Sequence, residues 1–426
     1  MIRNGKKKAI SCALVAAMSV GLAACGTTSY DFKVSYDGIK TGDVSSKVSV
    51  HDPSILKADG EYYIFGSHMS AAKSSDLLNW EKVADGYSKK NPVYGQIYDV
   101  ADEAFAYSGS KNSLIKTDDK QVHVWAPDVI YNETTGLYYM YYCTTSTWNA
   151  SNLCYGTSTT PEGPYEWQGA LIYSGFNRKT ISGTDVLDYV DEDYAYKNYI
   201  KGAQYNYEDY PNAIDPTVFY DADGRMWMVY GSWSGGIFLL EIDKTTGLVI
   251  HPEADKANNV DPYYGKRLLG GGHISIEGPY IMYDETSGYY YLFVSYGALT
   301  SNGGYQVRVF RSKTVDGEYV DMNGKYPEKS AQHQNFGLKL TGNYKLPSLE
   351  KAYMATGHNS AFVDDDGRMY LVYHTRFNDN GEGHSPRVHQ MLVNEDGWPC
   401  ELPYQTQGET VNKDGYDTDD IIGRYY

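Results

Sequence analysis

Five copies of one hairpin pattern constrain the fold of this chain more than any other feature. Each copy has a short polar or acidic residue near a proline, then an apolar strand, a turn containing glycine and a tyrosine-rich strand. The copies begin at His51, Ala126, Asp215, Glu277 and Asn359, and the fifth lacks the proline. The interval between successive copies accommodates about four strands with their loops. The pattern therefore predicts an all-β chain folded as a five-bladed β-propeller.

The composition agrees with many short strands. The chain has 44 Tyr and 43 Gly, and these residues favour pleated strands and tight turns. A pair of β-sandwiches is the alternative, but sandwiches do not require one hairpin motif at this separation. Closure into a ring also removes exposed strand edges. The net charge of -17 argues against nucleic acid as a partner, because such binding needs clustered Lys and Arg.

The N-terminus indicates export and a lipid anchor. Residues 1–25 begin with a basic stretch, continue with an uncharged run of small and apolar residues, and end in Leu22-Ala23-Ala24-Cys25, which resembles the bacterial lipobox. A plain signal peptide with an incidental cysteine is the alternative. We expect a lipid on Cys25 that holds the protein on a membrane surface outside the cytoplasm. A tether over residues 26–47 and a propeller over residues 48–403 follow from this interpretation.

The cysteines beyond the leader leave the question of a disulfide open. Cys143, Cys154 and Cys400 remain outside the leader, and an odd number does not indicate a disulfide framework. The first two lie in neighbouring predicted strands, where a disulfide and two buried thiols are both compatible with the sequence.

Tyrosine-rich segments over residues 165–211 and 321–353 are predicted to be long loops that wall in a site on one face.

Residues 404–426 form a polar tail that becomes strand-like at its end. This tail resembles the opening strand of a small C-terminal β-domain that has been cut short. Packing of the tail on the propeller is the alternative.

An acidic residue stands beside the proline at the start of the first strand in four copies. These residues are Asp52, Asp128, Asp215 and Glu277. If the first strands are innermost, the four carboxylates converge near the propeller axis, where like charges raise some pKa values and leave other groups ionised. A single Asp before Pro is a common turn former. The set, however, predicts acid–base chemistry, and outside the cell it indicates glycoside hydrolysis of an uncharged polymer.

Five motifs make the prediction specific. They are HDPS at His51, WAPDV at Trp125, AIDP at Ala213, IEGPY at Ile276 and GHNS at Gly357. In this order they resemble glycoside hydrolase family 43, and within it the endo-1,5-α-L-arabinanases. The resemblance covers about residues 51–403 and implies a five-bladed propeller and an inverting mechanism.

The resemblance also implies a role for each motif residue. Asp52 would be the general base that activates water, Glu277 the general acid, and Asp215 the residue that orients the acid and raises its pKa. An inverting mechanism places the carboxyls of Asp52 and Glu277 roughly 6.5 to 9.5 Å apart. The residues expected to contact sugar are His51, Trp125, Asp128 and Ser232.

Further expectations concern the cofactor and partners. His358 is expected to face a calcium ion through water, although a histidine in a strand is more often a packed core residue. The resemblance implies arabinan, or related hemicellulose or pectin side chains, as the substrate of a monomeric enzyme. An exo-acting arabinofuranosidase or a β-xylosidase of the same fold is the nearest alternative. A non-catalytic glycan-binding propeller is the alternative from another class, and the retention of all three carboxylates argues against it.

Overall fold

Five antiparallel sheets follow one another along the chain, and the five predicted hairpins form the first two strands of each. The computed structural model describes residues 46–117, 120–146, 149–327, 335–345, 351–377, 383–403 and 405. The predictions for the leader, nearly all of the tether and nearly all of the C-terminal tail lie outside these residues. Among the residues described, no helix is both long and apolar enough to cross a membrane.

Each blade is an antiparallel sheet whose strands run mostly in chain order. The first blade contains Ser54–Ala58, Glu61–Gly66, Ser70–Ser74 and Glu81–Ala84. The second contains Val124–Asn132, Leu137–Thr145, Ser151–Ser158 and Glu166–Ser174. The third contains Thr217–Tyr220, Met226–Tyr230, Ile237–Ile242, Val249–Ile250, Val260–Asp261 and Gly265–Leu269. The fourth contains Ile276–Asp284, Tyr289–Tyr296, Gln306–Ser312 and Leu338–Lys339. The fifth contains Tyr353–Val363, Met369–Phe377, Ser385–Val393 and Pro399–Glu401.

The blades close into a ring. The first strand of every blade contacts the first strand of the next, and the first strand of the fifth blade contacts that of the first. Five hydrophobic clusters fill the five spaces between neighbouring blades. The closing cluster packs Ile64 and Trp80 of the first blade against Val372 and Val388 of the fifth. The predicted five-bladed propeller is confirmed, and burial between blades is what holds the ring together.

Polar side chains link the innermost strands across the gaps between blades. Ser360 of the fifth blade donates to the carbonyl of Pro53 at 2.8 Å. Thr217 of the third blade donates to the carbonyl of Pro279 in the fourth, also at 2.8 Å. Because these groups are buried, each link satisfies a polar atom that water cannot reach.

Two excursions leave the ring, and only one of them was predicted. The segment between the first and second blades contains the helices Gly95–Asp99 and Ala101–Ala104, which no sequence signal indicated. The predicted loop over residues 165–211 includes the outer strand of the second blade, Glu166–Ser174, so its first part was wrong. Its remainder contains the helical turns and short strands Ile181–Gly183, Val186–Tyr189, Glu192–Asn198, Ile200–Lys201 and Gln204–Tyr205. The other predicted loop, over residues 321–353, contains the outer strand Leu338–Lys339 of the fourth blade, so that part of the prediction was wrong. Residues 328–334 and 346–350 of this segment lie outside the described residues.

Cys143 and Cys154 lie on adjacent strands but do not form a disulfide. The register pairs Cys154 with Tyr142 and Cys143 with Leu153. Side chains alternate between the faces of a sheet, so an offset of one residue places the two thiols on opposite faces. Of the two alternatives that the sequence left open, the structure therefore has the buried thiols.

Candidate active site

Each innermost strand has a residue in a left-handed backbone conformation in or just before its first half. The φ angles are +55° for Asp52, +40° for Ala126, +55° for Asp215, +54° for Gly278 and +48° for His358. In the second, fourth and fifth blades the strand pairing shifts register at this point, which is the mark of a β-bulge. Such conformations are uncommon for residues other than glycine and often occur at functional sites. Asp52, Asp215, Glu277 and His358, from four blades, stand at or next to these left-handed positions and meet at one end of the ring.

The left-handed positions show that Asp128 is not equivalent to the other three acidic residues of the repeat, as the sequence had suggested. Asp52 and Asp215 occupy the left-handed position, and Glu277 precedes it by one residue. Asp128 instead lies two residues after the left-handed Ala126 and is buried inside the second blade's first strand. Its carboxylate accepts hydrogen bonds from the Ser54 hydroxyl and, at 2.7 Å, from the Val218 amide. Asp128 therefore joins three blades and does not meet the other three carboxylates.

Removal of the Asp128 carboxylate is expected to destabilise the ring. Asp128→Ala leaves the Val218 amide and the Ser54 hydroxyl buried without a partner, which costs about 2 to 4 kcal/mol of unfolding free energy. Burial raises the pKa of Asp128 to about 7, above its unfolded value, so its contribution to stability is lost as pH rises from about 4 to about 7. Asp128→Asn should remove this pH dependence. Urea unfolding near pH 5 and near pH 8 measures both effects, and an Asp128→Ala variant as stable as the parent would contradict them.

Asp52 is held as an anion by its neighbours. The Ser67 hydroxyl donates to Oδ2 at 2.5 Å, and Nδ1 of His358 lies 3.0 Å from Oδ1. Nε2 of His51 lies 3.1 Å from the same oxygen, and the Asp52 amide donates to Nδ1 of His374 at 3.2 Å. Burial alone would raise its pKa, but the nearby His358 and His51 hold the pKa of Asp52 well below its usual range. Asp52 is thus a buried, oriented carboxylate at neutral pH.

Glu277 is fixed by three donors from two blades. The Ser232 hydroxyl and the Trp233 indole donate to Oε2 at 3.0 and 2.8 Å, and the Tyr305 hydroxyl donates to Oε1 at 2.8 Å. Burial and the charge of Asp52 raise the pKa of Glu277, against the opposing effect of these donors. The side chain is therefore oriented and retains a proton at higher pH than an ordinary glutamate.

Asp215 and His358 complete the charge arrangement. Oδ2 of Asp215 accepts from the Gly278 amide at 3.2 Å, so this carboxylate lies against the peptide that follows Glu277. Burial raises the pKa of Asp215 to about 7, and the negative charge of Glu277 acts in the same direction. Burial opposes protonation of His358, but Asp52, Asp215 and Glu277 outweigh it and raise its pKa to about 9. The site therefore contains one imidazolium among three carboxyl groups.

Two glycines allow this close approach. A side chain at Gly278 would begin 3.0 Å from the His358 ring, and one at Gly357 would begin 2.4 Å from the Tyr305 ring. The Tyr305 hydroxyl could not reach Glu277 with that space filled. Both glycines, of the IEGPY and GHNS motifs, are required by packing, and Gly278 is also required by its left-handed backbone conformation.

The residues predicted to contact sugar have different positions. His51 stacks on the ring of His384 beside Asp52, with 3.8 Å between ring centroids. Ser232 is a partner of Glu277. Trp125 is half-buried one residue before the left-handed position of the second blade, and its buried indole nitrogen has no hydrogen-bond partner. Direct contact with sugar stays a prediction for all of them.

The sequence did not predict five residues that lie at the site, which are Ser67, Trp233, Tyr305, His374 and His384. Trp233 stands next to the predicted Ser232 in GSWSGG, and this proximity could have indicated it. Tyr305 is one of 44 tyrosines, and no local pattern distinguishes it from the rest.

Calcium at His358 stays a prediction, and direct coordination does not fit the residues present. Nδ1 of His358 faces Asp52, and the ring is an imidazolium at neutral pH, without a lone pair to offer. Calcium also prefers oxygen ligands. A calcium ion could contact this residue only through water, and no step of the chemistry below depends on such an ion.

Comparison with known proteins identifies the family. The sequence pattern of glycosyl hydrolases family 43 matches residues 44–210 and 191–399. The chain belongs to this family. The match spans all five blades, so the resemblance drawn from the five motifs is confirmed, together with the fold that it implied.

Two relatives are more than a third identical to this chain over the aligned residues. An extracellular endo-α-(1→5)-L-arabinanase of Thermotoga petrophila is 39% identical over 389 residues, covering 88% of this chain and 74% of the relative. Extracellular endo-α-(1→5)-L-arabinanase 2 of Bacillus subtilis is 37% identical over 408 residues, covering 90% of this chain and 76% of the relative. A crystal structure of the Thermotoga petrophila endo-1,5-α-L-arabinanase with TRIS superposes with a TM-score of 0.74 at 39% identity, covering 90% of this chain and 79% of that one.

Proposed function

We propose that this protein is an inverting glycoside hydrolase that cleaves internal α-1,5-L-arabinofuranosidic bonds of arabinan. The observation that carries the proposal is the pair of oriented carboxyl groups at one end of the ring: Asp52 is held by Ser67 and His358, and Glu277 by Ser232, Trp233 and Tyr305. Family membership supplies the inverting mechanism, and both relatives described above are named endo-arabinanases. The direct test is the set of products released from linear arabinan.

The geometry assigns separate roles to the carboxyl groups. Glu277, oriented by Ser232, Trp233 and Tyr305, donates its proton to the glycosidic oxygen as the bond breaks. Asp52, oriented by Ser67, takes a proton from the water that attacks the anomeric carbon from the opposite face. The separation of roughly 6.5 to 9.5 Å between the two carboxyls stays a prediction.

Asp215 acts on the acid rather than on the sugar. Its carboxylate lies against the Gly278 amide, and its charge disfavours ionisation of Glu277. Asp215→Asn should therefore lower the pKa of Glu277 and move the high-pH limb of kcat/KM downward by about one pH unit. Asp223→Asn, in an exposed turn of the same blade, is the control. An unchanged high-pH limb in Asp215→Asn would contradict this role.

Endo cleavage needs room for sugar on both sides of the broken bond. Near the proposed base, a cavity of about 490 Å³ is lined by His68, Tyr87 and Tyr98. The His68 ring stacks on His51 at 5.7 Å, so this cavity adjoins the residue before the proposed base. Near the proposed acid, His273 packs against Trp233 and Tyr207, with 5.5 and 5.4 Å between ring centroids. Aromatic rings beside the base and beside a partner of the acid suit a chain of sugars that extends past both.

The location and the assembly state are part of the proposal. The relatives are named extracellular, which supports action outside the cytoplasm. We further propose that Cys25 carries a lipid that anchors the protein to the membrane, as the lipobox-like sequence indicates. One chain supplies every group in the proposed mechanism, so hydrolysis needs no second copy and we propose a monomer. A water-mediated calcium ion near His358 also remains a proposal.

A further inference from the structure

A second cavity lies between the excursion that follows the second blade and the outer strands of the third blade. Its volume is about 390 Å³, which is within the range of sites that hold small ligands. None of its lining residues belongs to the candidate active site. The lining includes Tyr194, Lys197, Asn206, Tyr210, Lys256 and Arg267.

Three cationic side chains line this cavity in a strongly acidic protein. The chain has 54 acidic and 37 basic residues, yet Lys197, Lys256 and Arg267 reach the cavity from three separate elements. The neighbouring Lys266 pairs with Asp316 at 3.3 Å, whereas none of the three forms an ion pair within the part of the chain that the structure describes. Cations that share a cavity without acidic partners indicate an anionic ligand.

Two carboxylates also line the cavity, and protein groups already hold one of them. Asp261 is buried, and its Oδ1 accepts from the Tyr199 hydroxyl at 2.8 Å and from two backbone amides at 2.9 and 2.8 Å. Oδ2 of the half-buried Asp209 accepts from the Asn206 side chain at 3.1 Å. Three cations therefore face a ligand against one accessible carboxylate, which can itself accept from a ligand hydroxyl.

The rest of the lining suits a sugar. The rings of Tyr194 and Tyr210 each meet Tyr199 edge-on, with 5.7 and 4.7 Å between centroids, so packing fixes both rings at the wall. Such rings offer an apolar face to the C–H groups of a sugar. Oδ1 of Asn206 is buried without a hydrogen-bond partner and suits a hydroxyl donor. An inorganic anion would satisfy the cations alone, whereas a uronic acid sugar also uses the tyrosines and the amide.

One segment connects this cavity with the surroundings of the proposed acid. Asn206 and Tyr210 line the cavity, and Tyr207 between them packs on His273, with 5.4 Å between ring centroids. His273 in turn lies 5.5 Å from Trp233, a partner of Glu277. The two sites share no residue, but a polymer held in the cavity lies close to the acid.

We propose that this cavity is a second carbohydrate-binding site, which takes an oligosaccharide that contains uronic acid. Arg267 and the two lysines hold the sugar carboxylate, and the tyrosines and Asn206 hold the ring. Where arabinan is a side chain of an acidic pectic polymer, this site raises the local concentration of substrate at the carboxyl groups. The recruiting role rests on the proposed function, but binding itself does not.

Calorimetric titration of the full chain with trigalacturonic acid tests binding. We expect one site, with a dissociation constant that rises about tenfold or more in Lys256→Gln/Arg267→Gln, because charge-assisted hydrogen bonds are lost. Lys197→Gln/Lys256→Gln changes only exposed side chains and should act in the same direction. Lys244→Gln, an exposed lysine of the same blade outside the cavity, is the control and should bind as the parent does.

Matched ligands separate recognition of the charge from recognition of the sugar. The methyl ester of the same trisaccharide and inorganic phosphate should each bind about tenfold or more weakly than the acid. No binding of trigalacturonic acid, or unchanged binding in both double variants, would overturn the site. Equal binding of the ester would overturn recognition of the carboxylate, and equal binding of phosphate would overturn recognition of the sugar.

Hydrolysis of two polymers tests the recruiting role. On arabinan still attached to a pectic backbone, Lys197→Gln/Lys256→Gln should raise KM about threefold or more and leave kcat unchanged, because only recruitment is lost. On linear arabinan both constants should equal those of the parent. An unchanged KM on the attached polymer would overturn recruitment. If the parent hydrolyses neither polymer, the proposed function fails, and the calorimetric titration still decides the binding site.

Discussion

Glu277→Gln is expected to reduce kcat on arabinan by about 10³-fold or more while KM changes little. The amide is nearly the same size, and its oxygen can still accept from Ser232 and Trp233 while its NH2 donates to the Tyr305 hydroxyl, but it has no acidic proton to give to the leaving oxygen. Steady-state kinetics on linear arabinan measure the loss. Glu285→Gln, an exposed residue in the hairpin turn of the same blade, is the control and should be unaffected.

The leaving group separates loss of an acid from loss of structure. An aryl arabinofuranoside with a nitrophenol leaving group needs little protonation, so Glu277→Gln should retain a much larger fraction of its activity on such a substrate than on arabinan. Equal losses on the two substrates would contradict the assignment of Glu277 as the acid. Near-normal activity on arabinan would contradict it outright.

Asp52→Asn is expected to cause a loss of similar size, about 10³-fold or more in kcat, but with a different substrate pattern. Without the carboxylate, nothing accepts the proton of the attacking water, whatever the leaving group. The loss should therefore be about equal on arabinan and on the nitrophenyl substrate. Asp59→Asn, exposed in the first hairpin, is the matched control. If Asp52→Asn retained a larger fraction of the parent activity on the nitrophenyl substrate than on arabinan, Asp52 would act on the leaving group. The roles of Asp52 and Glu277 would then be reversed.

The propeller could be predicted because its signal repeats. The same hairpin occurs five times, and the strands that it predicts are the first two of each blade. The insertion between the first two blades and the outer strands Glu166–Ser174 and Leu338–Lys339 were missed, because none of them belongs to the repeated hairpin. Local patterns predict local pairing, whereas the position of an insertion on the ring depends on contacts with other blades.

The site was predictable only where a motif marks it. Asp52, Asp215 and Glu277 stand in short motifs beside a proline or glycine, and the structure brings them together. Asp128 stands in a similar motif but lies two residues farther into its strand, where it links blades. The bulge that separates these cases is a backbone conformation, and the residue types alone do not reveal it.

Residues that reach the site from other strands carried no signal at all. Tyr305 lies near the start of the third strand of the fourth blade, and His374 lies within the second strand of the fifth. Each is an ordinary strand residue in the sequence. Tyr305 meets Glu277 only when the fourth blade has folded, and His374 meets Asp52 only when the ring closes.

The central claim, internal cleavage of arabinan, is tested most directly by chromatography of the earliest products from linear, debranched arabinan. Samples taken before a few per cent of the bonds are broken should contain a ladder of arabino-oligosaccharides, with the average chain length falling steeply. Arabinose as the sole early product, with the remaining polymer close to its original length, would contradict endo cleavage and indicate an exo enzyme of the same family. No product at all from a protein that still binds arabinan would contradict hydrolysis itself.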